Sequence, residues 1–323
     1  MRIKFLIIRL SSIGDIVLTS PIVRCLKQQV PESEIHFFVK EQFADTVKNN
    51  PYIDHIHLYK GNLKENLKEF RSIDFQHIID LHKNIRSIWI RNALKIPDFS
   101  FNKLNFEKWL AVHFKNIGAL PDIHIVDRYF EAVKPFDVKN DELGLDYFIN
   151  EETDRVSLHF QKYIVFVTGA KHYTKQIPIE ISKKIIKEIR YPIVLLGGKS
   201  EKEYAEKLIK DCQKTNIINY TGELTLNQSA FVIRESAGVI TPDTGLMHIA
   251  AAYKKPIASV WGNTIPEFGM YPYMPDEKSK IFEVKNMSCR PCSKLGYDKC
   301  PKKHFNCMMM QDYNGIIKWA NNL

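Results

Sequence analysis

The sequence predicts an α/β protein made of two doubly wound, Rossmann-like domains facing a central cleft. Three observations predict it. Short β-branched runs alternate with longer segments of helical period, the pattern of parallel sheets covered by helices on both faces. The alternation comes in two series, parted by a polar, acid-rich stretch at residues 150–155. The 323 residues also exceed the size, about 250–300 residues, at which a single core stops growing. The domains are expected at 1–155 and 156–323.

The first series opens with I-K-F-L-I-I, residues 3–8, an apolar strand. A helical period follows at 16–29, then a strand at 35–39. Residues 55–59 and 77–81 read as strands on either side of an amphipathic stretch at 63–70. The second series runs strand 163–168, helix 179–189, strand 193–196, helix 201–211, strand 217–220 and helix 227–236. Strand 238–241, a helix after Gly245 and strand 257–261 complete it. A final helix at 312–323 offers Ile316, Ile317 and Trp319 for burial.

Lys and Arg number 46 against 37 Asp and Glu, a formal charge of +9. That balance suits an acidic partner (nucleic acid, an anionic membrane or a phosphorylated substrate) or simply a solvated basic surface. In M-R-I-K-F-L-I-I-R-L the apolar core, Phe5 to Ile8, ends at Arg9 with no small-residue cleavage site beyond it, which fails as a signal peptide. No apolar run is long enough to span a bilayer. A cytoplasmic protein, peripheral at most to a membrane, is expected.

Ligands of doubly wound sheets sit outside the carboxyl ends of the strands, so the loops after Ile8, Thr168, Leu196 and Thr241 are where chemistry is sought. The stretch V-I-T-P-D-T-G-L-M-H-I-A-A-A, 239–252, ends a strand at an acid, a Thr and a Gly and starts a small-residue helix. Helix N-termini present N–H donors and partial positive charge to a diphosphate. Thr244 and Gly245 suit that role, whereas Asp243 would repel a phosphate and suits the hydroxyls of a sugar. The plainer reading makes Asp243 or Thr244 an N-cap and His248 a core histidine.

After the first strand, R-L-S-S-I-G-D-I-V-L-T-S-P places Gly14 and Asp15 at a helix start. Asp15 there caps the helix or serves as a general base toward an attacking hydroxyl. G-A-K-H-Y-T-K-Q-I-P carries Lys171 and Lys175, either solvated or set against a leaving phosphate. G-G-K-S-E-K-E brings Glu201 to a helix start, where a carboxylate can bond ribose hydroxyls.

Taken together, these loops resemble those of the lipopolysaccharide heptosyltransferases, glycosyltransferase family nine, along nearly the whole chain. The carrying motifs are S-S-I-G-D-I-V-L-T-S-P and D-T-G-L-M-H-I-A-A-A, supported by H-I-V-D-R-Y-F, G-G-K-S-E and T-G-E-L-T-L. The resemblance implies the two-domain GT-B fold, with an acceptor-binding first domain and a nucleotide-sugar-binding second domain. It also implies a last helix crossing back to the first domain, and transfer of heptose from ADP-heptose to the lipopolysaccharide core with inversion. It assigns Asp15 as catalytic base and Lys175 to the donor phosphates. Asp243, Thr244, Gly245 and His248 would line the donor site and Glu201 would hold the ribose, with no catalytic metal required. Ser12, Gly14, His82, Lys83, Arg86 and Arg128 are expected at an anionic acceptor at the inner membrane surface. Arg91 is expected in solvent. Two departures stand out: Gln176 and Ile177 follow Lys175 where the family often has an aromatic, and Glu201 aligns only after a one-residue shift that leaves Glu203 a rival.

Residues 288–308 hold Cys289, Cys292, Cys300 and Cys307. A Cys-x2-Cys pair followed by two more cysteines has metal-ligand character, for structural zinc or iron, with His304 an alternative ligand; four reduced thiols are the other reading. Either way the segment is expected to pin a loop beside the cleft. Cys25 and Cys212 fall within helical periods as core filler. A basic nucleic-acid-binding protein with a zinc-ribbon-like tail is the rival class, but the basic residues are dispersed and no RNA-module motif is present. A nicotinamide dehydrogenase lacks its G-x-G-x-x-G. Another nucleotide sugar, or a protein acceptor, stays open within the fold.

Overall fold

The computed structural model describes residues 2–323. The chain forms two compact units: one holds the chain up to Lys103 with Ile123–Ile149, the other Leu104–Asp122 with Asn150–Leu323. In chain order the first contains β1 (Ile3–Ile8), α1 (Ile13–Val17), α2 (Ser20–Gln29), β2 (Ser33–Lys40) and β3 (His55–Tyr59). Next come α3 (Leu63–Ser72), β4 (His77–Asp80), α4 (Ile85–Leu94) and β5 (Asp98–Ser100). The chain then leaves for the second unit as α5 (Asn105–Phe114) and returns as α6 (Ile125–Phe130).

The five strands form a parallel sheet in the order β3-β2-β1-β4-β5. From Phe5 onward β1 is buried, as a central parallel strand covered on both faces must be. Leu6, Ile8, Phe38 and Ile78 pack with Phe70 and Ile90 from α3 and α4 on one face. The predicted helix at 16–29 is two helices. Thr19 Oγ1 closes α1 by donating to the Ile16 carbonyl at 2.7 Å, and Pro21 sits in the first turn of α2, where its missing N–H costs nothing. Buried Arg24 of α2 donates to both Asp141 oxygens (2.7 and 2.8 Å), to Asp146 and to the Gly144 carbonyl, fastening the last stretch of the unit.

The second unit contains β6 (Ile164–Val167), α7 (Ile179–Glu188), β7 (Ile193–Leu196), α8 (Lys202–Cys212), β8 (Ile217–Asn219), α9 (Leu226–Glu235) and β9 (Gly238–Pro242). It continues with α10 (Gly245–Ala252), β10 (Ile257–Trp261), β11 (Lys280–Glu283), α11 (Asn306–Met309) and α12 (Tyr313–Asn321). Its six strands are parallel in the order β11-β10-β9-β6-β7-β8.

The closing helix α12 packs within the second unit. Ile316, Trp319 and Ala320 of α12 are buried with Ile185 and Ile186 of α7. Trp319 donates to the Lys278 carbonyl at 2.7 Å, and Asn321 bonds Arg190 and Glu188. The segment that changes units is 104–122, which lies inside the range predicted for the first domain. Ala111, Val112, Ile117 and Leu120 pack on Ile265 and Phe268, and Lys115 donates to the Pro291 carbonyl at 2.7 Å. The main change of unit falls at 149/150, and Arg234 of α9 pairs with Glu151 just beyond it.

Candidate active site

In each sheet the strand order reverses beside the first strand of the unit: β1 lies between β2 and β4, and β6 between β7 and β9. At such a reversal the neighbouring crossovers leave on opposite faces and open a crevice at the carboxyl ends. The loops after β1 and β4 in one unit, and after β6 and β9 in the other, are therefore where functional side chains gather.

In the first unit Ser12 caps α1, and its N–H and Oγ donate to Asp15 Oδ2 at 3.2 and 2.7 Å. The other carboxylate oxygen pairs with Arg9. Arg9 is itself fixed, donating from Nε to the Ser11 carbonyl at 2.9 Å and from NH1 to the Leu81 carbonyl, with its guanidinium 5.8 Å from the Tyr129 ring centre. Burial works against the Arg9 charge, but Asp15, with Tyr129 and Asp80, holds its pKa above the ordinary value. Asp15 is thus both cap and oriented carboxylate, its side chain one-quarter exposed. The sequence reading missed Arg9 and used it only as the end of an apolar run; a charged residue directly after a buried strand was the available signal.

At the end of β4, buried Asp80 accepts from the backbone of His82 (2.9 Å) and Lys83 (2.7 Å). Burial, followed by the charges of Arg9 and Lys103, lowers the His82 pKa to about 3. His82 is therefore a neutral imidazole electrostatically coupled to Asp15. Lys83 donates to the Phe101 carbonyl at 3.0 Å. Arg86 is exposed, 5.9 Å over the Tyr59 ring. Arg128 is buried on α6 beside Tyr129, and Gly14 is buried within α1. Arg91, expected in solvent, pairs with Asp80 and Asp98.

In the second unit Lys175, from the loop after β6, meets Asp243, at the end of β9, with Nζ 2.5 Å from Oδ2. Thr264 Oγ1 donates to the same oxygen at 3.1 Å. Thr244 takes the N-cap position of α10 without a side-chain cap bond, its hydroxyl instead 3.1 Å from that of Thr241. The first turn of α10 begins at Gly245, and His248 is buried one turn inside. Glu201 folds back over the strand ends, accepting from Gly198 N–H at 2.7 Å and Ser200 Oγ at 2.6 Å. It lies so close to Gly169 that a Cβ there would come 2.0 Å from Glu201 Cγ, so a larger residue at 169 would displace the Glu201 side chain. Its rival Glu203 is exposed on α8, and Lys171 is exposed too.

The cysteine-rich segment supplies groups the sequence reading missed. Arg290 is buried and donates to the carbonyls of Gly262 (2.6 Å), Thr264 (3.1 and 2.8 Å) and Val284 (3.1 Å), with Glu283 as its counter-ion at 2.7 Å. Thr174, one residue before Lys175, donates its N–H to the Tyr297 carbonyl at 3.1 Å, and its hydroxyl accepts from the Tyr297 N–H at 2.8 Å. The segment therefore pins two of the three loops that present the Lys175–Asp243–Thr264 group, those carrying Lys175 and Thr264. Between Gly262 and Thr264 lies Asn263, 1% exposed, whose side-chain nitrogen and oxygen have no partner within the protein.

Among the described residues no three of the Cys289, Cys292, Cys300 and Cys307 sulfurs lie within 4.8 Å of one another, although the thiols of Cys289, Cys292 and Cys300 are near enough to act on that of Cys307. Cys292 donates to the Cys289 carbonyl at 3.0 Å, Cys289 lies 3.9 Å from His304, and burial pushes the Cys292 and Cys307 thiols up to about 11 and about 12. Cys25 and Cys212 are buried, as core filler should be.

Two parallel α/β units, each with its polar side chains at the reversal of its sheet, define the GT-B class of glycosyltransferases. The model of glycosyltransferase family 9 (heptosyltransferase) matches residues 64–300. The chain is 27% identical to lipopolysaccharide heptosyltransferase 1 of Campylobacter coli over 290 residues, 81% of this chain and 84% of that one. Its fold is similar to that of a family 9 glycosyltransferase from Veillonella parvula (TM-score 0.77, 20% identity, covering 99% of this chain and 96% of that one). It is also similar to the E. coli heptosyltransferase WaaC solved with ADP-2-deoxy-2-fluoro heptose (TM-score 0.68, 20% identity, 99% of each chain). The chain belongs to glycosyltransferase family 9 and is an enzyme of the heptosyltransferase type.

Proposed function

We propose that the enzyme moves heptose from ADP-heptose to an acidic inner-core lipopolysaccharide acceptor, with inversion at the anomeric carbon. The observation that carries this reading is the Lys175–Asp243–Thr264 group beside the start of α10, a cation and helix N–H donors suited to a diphosphate. The second unit binds the donor. Lys175 turns from Asp243 toward the diphosphate, Asp243 is left to the sugar hydroxyls, and Glu201 holds the ribose. Asn263 adds a buried amide whose two polar atoms call for a partner. The donor proposal also draws on the WaaC structure, which was solved with an ADP-heptose analogue.

The first unit supplies the base. Asp15, oriented by Arg9 and Ser12, takes the proton of an acceptor hydroxyl. The hydroxyl oxygen attacks the anomeric carbon, the bond to the diphosphate oxygen breaks, and ADP leaves with its charge spread over Lys175 and the α10 donors. Those groups do the work that a cation does elsewhere, so no catalytic metal is invoked. Lys83, Arg86 and Arg128, with Ser12 and Gly14, meet the acidic acceptor, and neutral His82 hydrogen-bonds rather than pairs with it. The acceptor is presented at the inner membrane surface; among the described residues no helix is long and apolar enough to cross a membrane.

Thermal-shift measurement against a panel of nucleotides and nucleotide sugars tests the donor. ADP and ADP-heptose should raise the melting temperature, by linkage to the folded state, while UDP and GDP compounds raise it little. A stronger shift with UDP compounds would replace ADP-heptose with another donor in the same fold.

A further inference from the structure

Away from both sets of loops, β2 carries Glu34-x-His36 and β3 carries His55-x-His57. Strand side chains alternate between faces, so Glu34 and His36 share one face, and the parallel register sets His55 opposite His36. Glu34 Oε1 lies 3.0 Å from His36 Nε2 and 3.4 Å from His55 Nε2. The His36 and His55 rings stack with centres 4.5 Å apart. Among the described residues this is the one group of three or more His, Cys, Asp or Glu side chains whose ligand atoms lie within 4.8 Å of one another. Behind it, His36 Nδ1 is 2.9 Å from His57 Nε2, and His57 Nδ1 is 2.5 Å from Glu69 Oε1.

We propose that Glu34 Oε1, His36 Nε2 and His55 Nε2 bind a divalent transition-metal ion of the zinc class, fastening the edge strand β3 to β2. The spacing fits: an ion with ligands at about 2.0–2.1 Å in tetrahedral array holds them about 3.3–3.4 Å apart. The hydrogen count fits as well. Contacts Glu34–His36, His36–His57 and His57–Glu69 call for three protons, and two neutral imidazoles supply two. An ion between Glu34 and His36 removes the shortage. His36 then donates from Nδ1 to His57, and His57 donates from Nδ1 to Glu69, the outer relay that orients metal-bound histidines.

Access fits too. Glu34 and His36 are buried, whereas the His55 side chain is 54% exposed, so an ion enters from that side and keeps a water in its fourth place. Two cations face the site. Arg2 lies 3.5 Å from the other Glu34 oxygen on a side chain that is 75% exposed and free to swing, and Lys4 acts on Glu34 from β1. Nearby Asp54 is paired with Lys27 at 2.7 Å, so its charge is already met.

Titration of chelator-stripped full-length protein with Zn2+, and with Co2+ as a spectroscopic probe, tests the site. One equivalent should bind, with visible Co2+ d–d bands and no near-ultraviolet thiolate charge-transfer band. His55→Ala, an exposed change that spares the fold, should abolish the bands, and His57→Phe should weaken binding about 10–100-fold. Cys292→Ser should change nothing. The proposal is overturned if no ion binds, since the chain then holds a third proton instead. Binding unchanged in His55→Ala, or a thiolate band lost in Cys292→Ser, overturns it equally.

Discussion

Replacing Asp15 with Asn should lower turnover about 10²–10⁴-fold, the contribution typical of a general base, while donor affinity changes by less than about threefold. The asparagine keeps the shape of the side chain and can turn its oxygen toward Arg9, so the buried guanidinium retains an acceptor. An alanine would leave that cation without its partner, and breaking a buried pair from one side costs about 3–5 kcal/mol, somewhat less here because Asp15 is one-quarter exposed. Asn also places an amide N–H2 where Ser12 N–H and Oγ now donate. A stability loss of about 1–2 kcal/mol follows from that mismatch, readable as a lower midpoint in urea unfolding. Turnover measured beside donor binding on one preparation separates the lost base from the lost cap. Retained turnover would remove Asp15 from the chemistry.

Replacing Lys175 with Met should act on the other half of the reaction. Its ammonium is the cation nearest the proposed diphosphate position, and a hydrogen bond to a charged group is worth about 1.5–3 kcal/mol, or about 10–100-fold in ADP affinity. The change does more than remove an attraction. Asp243, its side chain 13% exposed, loses its counter-ion and then repels the incoming phosphates, so the observed loss should reach the upper end of that range. A second substitution reveals this term: Asp243→Asn in the Lys175→Met background should recover part of the ADP affinity. The two changes are in direct contact and should not add. Calorimetric titration with ADP reads both effects. Unchanged affinity in Lys175→Met would place the diphosphate elsewhere.

The sequence made the sheets legible and their partners less so. Strands 193–196 and 257–261 appear as predicted, because parallel strands buried on both faces read as unbroken β-branched runs. β5 and β11 went unread. Each is a short edge strand with exposed positions, so neither alternation nor a continuous apolar run marks it. The helix at 16–29 divided because the sequence pattern registers amphipathicity but not the break before Pro21.

For the candidate site, the polar residues at strand ends were legible and their pairings were not. Asp15, Lys175 and Asp243 stood out as polar residues at strand ends, a signal local to the chain. Arg9, Thr264 and Arg290 act through contacts with distant residues, and Arg290 reaches the Gly262 and Thr264 carbonyls from within a motif that reads as a metal site. The charge of His82 is set by burial and by Arg9, neither of which spacing reveals. The closing helix shows a similar limit. Its apolar face is plain in the sequence, whereas the surface that receives it, beside α7, is a property of the fold.

The central claim is that a carboxylate fixed by a buried arginine activates an acceptor toward a sugar released from ADP. The direct measurement incubates purified enzyme with ADP-heptose and a deacylated, heptose-free inner-core acceptor, and follows sugar adduct and free nucleotide together. The account predicts one heptose joined per ADP released, with inverted anomeric configuration. Adduct formed from a UDP or GDP sugar but not from ADP-heptose, or a product with retained configuration, would contradict it.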